Sequence, residues 1–133
     1  MSQALLYSGE LPPPEPLADG TTRQVGREIP LSDFLKLTKM PIQMIWGDFI
    51  PDKLDPANVG PRRVLDTRRM NRLTSERMAK SINDHGGDAE VLRLPDIGIT
   101  GNTHFMMLDT NNTRIAELLS EFLHKKALDG RKP

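Results

Sequence analysis

The sequence predicts an α/β fold in which two parallel strands, joined by a crossover helix, precede a C-terminal helix. Three observations lead there. Two short apolar runs, residues 42–46 and 90–94, have strand length. Between them Met70, Leu73, Met78 and Ile82 recur at the spacing of a helix that buries one face. After the second run, Ile115, Leu118, Leu119, Phe122 and Leu123 form the apolar stripe of a further helix. A strand, a helix and a strand in this order make a right-handed parallel unit.

Composition narrows the function classes. At 133 residues the chain suits one domain with a core rather than two. Eighteen basic residues balance eighteen acidic ones, which leaves no general electrostatic case for nucleic acid or an anionic membrane. Cysteine is absent, so disulfides, thiolate nucleophiles and cysteine-bound zinc are excluded. There is no basic stretch followed by a long apolar run at the N-terminus, and nothing approaches the roughly 18 apolar residues of a membrane helix. A soluble, cytoplasmic protein is expected.

Each element has its own signals. Residues 1–30 are rich in Pro, Gly, Glu and Thr around L-P-P-P-E-P at 11–16, and read as an extended linker or a polyproline ligand for a partner domain. Residues 31–37 suit two helical turns capped by Ser32, stopped by Pro41. The strand at 42–46 has apolar residues at both parities, as a buried parallel strand does. Gly47 and Asp48 mark its end, and residues 51–61, with Pro51, Pro56, Gly60 and Pro61, read as an irregular connection. Asp66 or Thr67 caps a helix running to Asp84, with Arg69, Arg72, Arg77 and Lys80 on its remaining surface among Glu76 and Asp84. His85-Gly86-Gly87 ends it, the histidine favoured by the helix dipole and glycine supplying the left-handed cap. After the strand at 90–94, Pro95 to Gly101 lead out to His104. Asn111 or Asn112 caps the last helix, His124, Lys125 and Lys126 close it, and residues 129–133 form a tail.

His104 is the candidate catalytic residue. It lies in a Gly/Asn/Thr loop following a strand, where α/β enzymes keep catalytic groups, and imidazole is the usual general base near neutral pH. The alternative is an ordinary loop or capping histidine. Asp48 is the candidate acid: a carboxylate at the end of a strand can accept a histidine ring N–H and fix its tautomer, or can simply cap local N–H groups in a turn. Asp52 and Asp55 compete for the acid's role. His85 and His124 read as helix-end residues, and Met106, Met107 and Leu108 as packing beneath the final helix. The three histidines lack metal-ligand spacing, and no nucleotide-binding glycine loop occurs, so neither a metal nor a cofactor is expected.

Residues 41–51 (P-I-Q-M-I-W-G-D-F-I-P) and 91–104 resemble the last two strands of the α/β-hydrolase superfamily. There, a strand ending in an apolar-Trp/Tyr-Gly pattern leads to the catalytic acid; a helix and strand follow, and then a loop carries the catalytic histidine before the final helix. The G-N-T-H-F wording at 101–105 looks like the esterase-like branch. The resemblance, from about Leu31 to Leu128, implies a partial α/β-hydrolase fold in residues 31–128, with residues 1–30 as a cap or linker remnant. It implies His104 as catalytic base, Asp48 as its acid and a small-molecule carboxylic ester as substrate. Many members place the acid three residues after the glycine, where this chain has Ile50, so the loop must turn differently if Asp48 serves.

The family's G-x-S-x-G nucleophile turn is missing, and the serines at 2, 8, 32, 75, 81 and 120 lack that setting. The chain is therefore expected to be the C-terminal portion of an ester hydrolase, inactive until an N-terminal segment supplies the nucleophile and oxyanion donors. The alternative is a non-catalytic module that pairs with another chain. Two parallel strands make no independent sheet, so an exposed strand edge is expected to draw in a second copy or a partner.

Overall fold

The computed structural model describes residues 5–7 and 11–130. The chain opens with four short strands: β1 (Leu5–Tyr7), β2 (Glu15–Pro16), β3 (Thr22–Arg23) and β4 (Arg27–Ile29). Helix α1 (Leu31–Phe34) tightens into a 3-10 turn at Leu35–Lys39 and leads to strand β5 (Pro41–Trp46). A 3-10 turn at Gly60–Arg62 feeds the long helix α2 (Arg63–Asp84), which is followed by strand β6 (Asp88–Arg93). Short 3-10 turns at Leu94–Ile97 and Met106–Leu108 precede the last helix, α3 (Asn112–Lys125). Strands β5 and β6 pair, and α2 is the crossover between them. This is the partial α/β arrangement of parallel strands, crossover helix and C-terminal helix that the sequence predicts.

The chain divides into two compact units, Met1–Met44 with Ile50–Val91 and Ile45–Phe49 with Leu92–Pro133. In the first, Phe34, Ala79, Ile82 and Ala89 form a buried cluster, against which Ile42, Met44 and Val91 pack. In the second, Leu94, Ile115 and Leu118 are buried, with Ile45, Leu92, Ile99 and Met106 against them. Both parities of β5 are thus used, which is why its apolar residues do not alternate with polar ones. Met106 packs as expected, whereas Met107 and Leu108 are 62% and 79% exposed.

Helix α2 begins earlier than a cap at Asp66 or Thr67 would allow. Pro61 sits in the first turn of the 3-10 lead, where its missing N–H costs nothing. Asp66 is instead buried inside the helix, and its oxygens accept hydrogen bonds from Arg69 Nε at 2.7 Å and from the backbone N–H of Ala18 at 2.8 Å. Arg69 also donates to the carbonyl of Pro16 at 3.0 Å, and Arg77 pairs with Glu15. The turn joining β2 to β3 is thereby held against α2 by charge. Arg72 donates to Glu76 at 2.6 Å and to the carbonyl of Pro51 at 3.3 Å. Arg69 and Arg72, expected on the surface, are both buried and paired.

The far end of α2 closes as expected. The His85 ring nitrogen Nδ1 lies 2.8 Å from the Ser81 carbonyl, and Gly86 takes a left-handed φ of +82°. Gly87 permits a tight approach, since a Cβ there would lie 2.4 Å from Ile82 Cγ2 and 3.0 Å from Thr38 Cα. Asn83 then braces β6 at its start, donating to the Ala89 carbonyl and accepting from the Ala89 N–H, each at 2.8 Å. Among the described residues no third strand joins β5 and β6.

Because Asp66 and Arg69 are both buried, removing one strands the other's charge, a loss typically of about 3–5 kcal/mol. Asp66→Ala is expected to lower unfolding stability in urea by that order. Lys36→Ala, which removes the exposed pair with Asp33, is expected to leave the midpoint unchanged.

Candidate functional site

The site is built at the end of β5, within the second unit. Strand geometry runs out at Trp46, and Gly47 follows because no side chain fits: a Cβ there would lie 2.6 Å from the Thr103 carbonyl oxygen and 2.8 Å from that of Asn102. The loop carrying His104 passes directly over this glycine. The N–H of Asp48 donates to the Asn102 carbonyl at 2.8 Å. In return, Asp48 Oδ2 accepts from the Gly101 N–H at 2.8 Å and Oδ1 from the Phe49 N–H at 2.7 Å. Phe49 takes a left-handed φ of 62°, rare for a bulky residue and a local strain that the surrounding contacts must hold.

Asp48 is therefore a clamp on backbone. The Gly101 N–H first, and the Phe49 N–H second, hold its carboxyl below the ordinary carboxylate value against a smaller desolvation effect. The hydrogen bonds of Asp48 run to these two amides rather than to the His104 ring. Structure thus brings Asp48 and the His104 loop together through Gly101 and Asn102. The competing acids are occupied elsewhere: Asp55 accepts from the Ala57 N–H at 2.9 Å, and Asp52 faces Arg72 at 3.7 Å.

A second set of polar residues, not legible as a site in the sequence, shapes the loop beyond Gly101. Asn102 is 1% exposed, and its carboxamide nitrogen donates to Asp109 Oδ2 at 2.9 Å and Asn111 Oδ1 at 2.6 Å. Its oxygen accepts from Asn111 Nδ2 at 2.8 Å. Asp109 also accepts from the Thr103 N–H at 2.8 Å and from the Thr103 hydroxyl at 3.0 Å. Asn111 stands at the start of α3, but its side chain serves this network and makes no cap hydrogen bond. The Asn102 amide, followed by Thr103, lowers the Asp109 carboxyl below its usual value, and the charge of His104 adds in the same direction.

His104 sits at the outer edge of this loop, exposed, with its ring 4.1 Å from that of Phe105 between centroids. Exposed apolar side chains, Phe105 and Leu108 among them, share the loop. A His–Asp pair lies at the end of α3, with His124 Nδ1 3.1 Å from Asp129 Oδ2. Five residues apart, the two close the helix terminus, where a histidine suits the dipole. Among the described residues no group of three His, Asp or Glu side chains is placed to hold a metal ion, and no helix is long and apolar enough to cross a membrane.

Asn102 makes three hydrogen bonds in a buried setting, and its loss leaves partners unsatisfied at about 1–3 kcal/mol. Asn102→Ala is expected to lower the thermal midpoint clearly, and Thr113→Ala, at an exposed 3.5 Å contact, is expected to leave it in place. Gly47→Ala is expected to displace residues 101–103 and shift their amide resonances, because the new methyl would overlap two carbonyl oxygens.

No protein-family model matches the sequence, and no curated protein matches it. Among solved structures, the chain is similar to a protein described as "a Novel Bacterial Esterase", at 26% identity and a TM-score of 0.58. The similarity covers 71% of this chain and 26% of that one, so the chain spans about a quarter of that esterase's length. The two-stranded frame, the crossover helix α2, the terminal helix α3 and this likeness agree. The chain is a distant, esterase-like match to the α/β-hydrolase superfamily.

Proposed function

We propose that the chain is the histidine-bearing portion of an esterase-like hydrolase, with His104 as general base and general acid in the cleavage of small carboxylic esters. The observation that carries this reading is the clamp of Asp48 on Gly101, which fixes the root of the His104 loop at the end of β5. The likeness to a bacterial esterase supports the ester class. In this reading a nucleophile hydroxyl, supplied by a segment carrying G-x-S-x-G, attacks the ester carbonyl while His104 takes its proton. His104 then returns that proton to the departing alcohol, and water releases the acid by the reverse relay. Asp48 holds the root of the loop, and Asp109 braces its turn through Thr103 and Asn102. No cofactor enters the proposal.

One set of observations favours a second reading, a module that binds another chain without turnover. Phe105, Met107 and Leu108 are exposed, and Trp46 Nε1 is buried without a hydrogen-bond partner. A partner or a second copy adding a strand beside β5 would suit an unextended two-stranded sheet. Neither reading calls for nucleic acid or a membrane as partner.

Mixing the chain with an N-terminal hydrolase segment bearing G-x-S-x-G separates the two. The first reading expects p-nitrophenyl ester cleavage that falls by about 10⁴-fold or more in His104→Ala. A stable complex without turnover, or turnover indifferent to His104→Ala, contradicts it.

A further inference from the structure

One hydroxyl carries the order of the buried loop network out to His104. Thr103 Oγ donates to Asp109 Oδ1 at 3.0 Å and accepts from the Phe105 N–H at 3.1 Å. A hydroxyl has one proton to give, and a carboxylate ionised at neutral pH can only accept. Asp109 therefore decides which way the hydroxyl points and leaves its lone pairs to Phe105. The Thr103 N–H, 2.8 Å from Asp109 Oδ2, is a second grip on the same carboxylate. Asp109 is in turn bonded at 2.9 Å to the carboxamide of the buried Asn102.

His104 lies between the two residues that this relay ties together. A threonine oxygen bonded to the N–H two residues further on closes a tight local turn, and the residue enclosed is the histidine. The Phe105 ring stands 4.1 Å from the imidazole between centroids, tilted by 44°. The hydroxyl that holds the Phe105 backbone thus also holds the aromatic wall beside the imidazole. Thr103 is exposed, where a hydroxyl can rotate to suit the solvent, yet both of its partners lie inside the loop.

We propose that the Thr103 hydroxyl, oriented by Asp109, is a positioning group for His104, fixing the turn that carries the imidazole and the Phe105 ring that borders it. The proposal rests on the reading of His104 as general acid and base. The part played by Thr103 is indirect: it limits where the imidazole can stand, and small displacements of a proton-transfer group cost rate rather than affinity.

Thr103→Val keeps the branched shape and removes the hydroxyl, whereas Thr103→Ser keeps it. NMR of the native chain is expected to show a protected Phe105 amide and one dominant His104 χ1 rotamer. In Thr103→Val the Phe105 amide is expected to exchange about fivefold to tenfold faster and His104 to average over rotamers, and Thr103→Ser to restore both. With the G-x-S-x-G segment added, kcat for a p-nitrophenyl ester is expected to fall by about tenfold to a hundredfold in Thr103→Val at unchanged KM, and to recover in Thr103→Ser. Phe105 exchange and His104 rotamers unaltered in Thr103→Val, or losses that Thr103→Ser does not restore, would overturn the proposal. So would turnover that requires His104 and is indifferent to Thr103→Val. Turnover indifferent to His104→Ala sinks the base assignment itself, and this proposal with it.

Discussion

The carboxylate of Asp48 joins the two stretches of chain from which the candidate site is made. A strand ends at Trp46, and at Gly101, 53 residues beyond Asp48, a loop must return to the same place. Hydrophobic packing alone brings α3 and the loop flanks together, through Leu94, Ile99, Met106, Ile115 and Leu118. It does not fix the loop's register. That is set by polar contacts of defined direction: Gly101 N–H to Asp48, and Asp48 N–H to the Asn102 carbonyl. Gly47 allows them by leaving room for two carbonyl oxygens. Asn102, Asp109 and Asn111 then fix the loop's further turn, and His104 projects from a rigid base although its own side chain is exposed.

The first unit solves a different problem with the same means. Its N-terminal strands are two or three residues long and bury little, yet Val25 is 1% exposed. Short strands of this kind gain their order from elsewhere. Here Asp66, Arg69 and Arg77 on α2 reach the turn and the strand beside it, so a helix face that looks solvated becomes a polar interface. The pairing explains how two arginines can be buried at all, since each has an acidic or carbonyl partner within reach.

What was legible in the sequence follows from range. The apolar runs of β5 and β6 and the stripe of α3 announce themselves through local periodicity, and their assignments hold within two residues. Helix α2 starts at Arg63, ahead of the expected cap, because Asp66, an ideal cap by composition, is used by Ala18, 48 residues away. The strands in residues 15–29 were not legible for the same reason: they depend on contacts with a helix that comes later. At the site, His104 and Asp48 could be singled out from their setting and from the family resemblance. Asn102, Asp109 and Asn111 could not, because Asn and Asp in a loop ordinarily serve local turns. The one available signal was the concentration of Asn, Thr and Asp from 102 to 113 beside the candidate histidine.

An ionised Asp48 holds the Gly101 N–H. Its carboxyl is depressed in the folded chain, so the stability it contributes is present above the unfolded value, near pH 3.9, and is lost as pH falls through the lower folded value. The direct measurement is the Gly101 amide proton, followed by NMR from neutral pH downward in the native chain and in Asp48→Asn. A clamped amide gives a downfield, exchange-protected resonance that moves upfield only below the ordinary carboxylate range, with no such titration in the variant. A Gly101 amide at its random-coil position at neutral pH, unmoved by acid, would contradict the clamp.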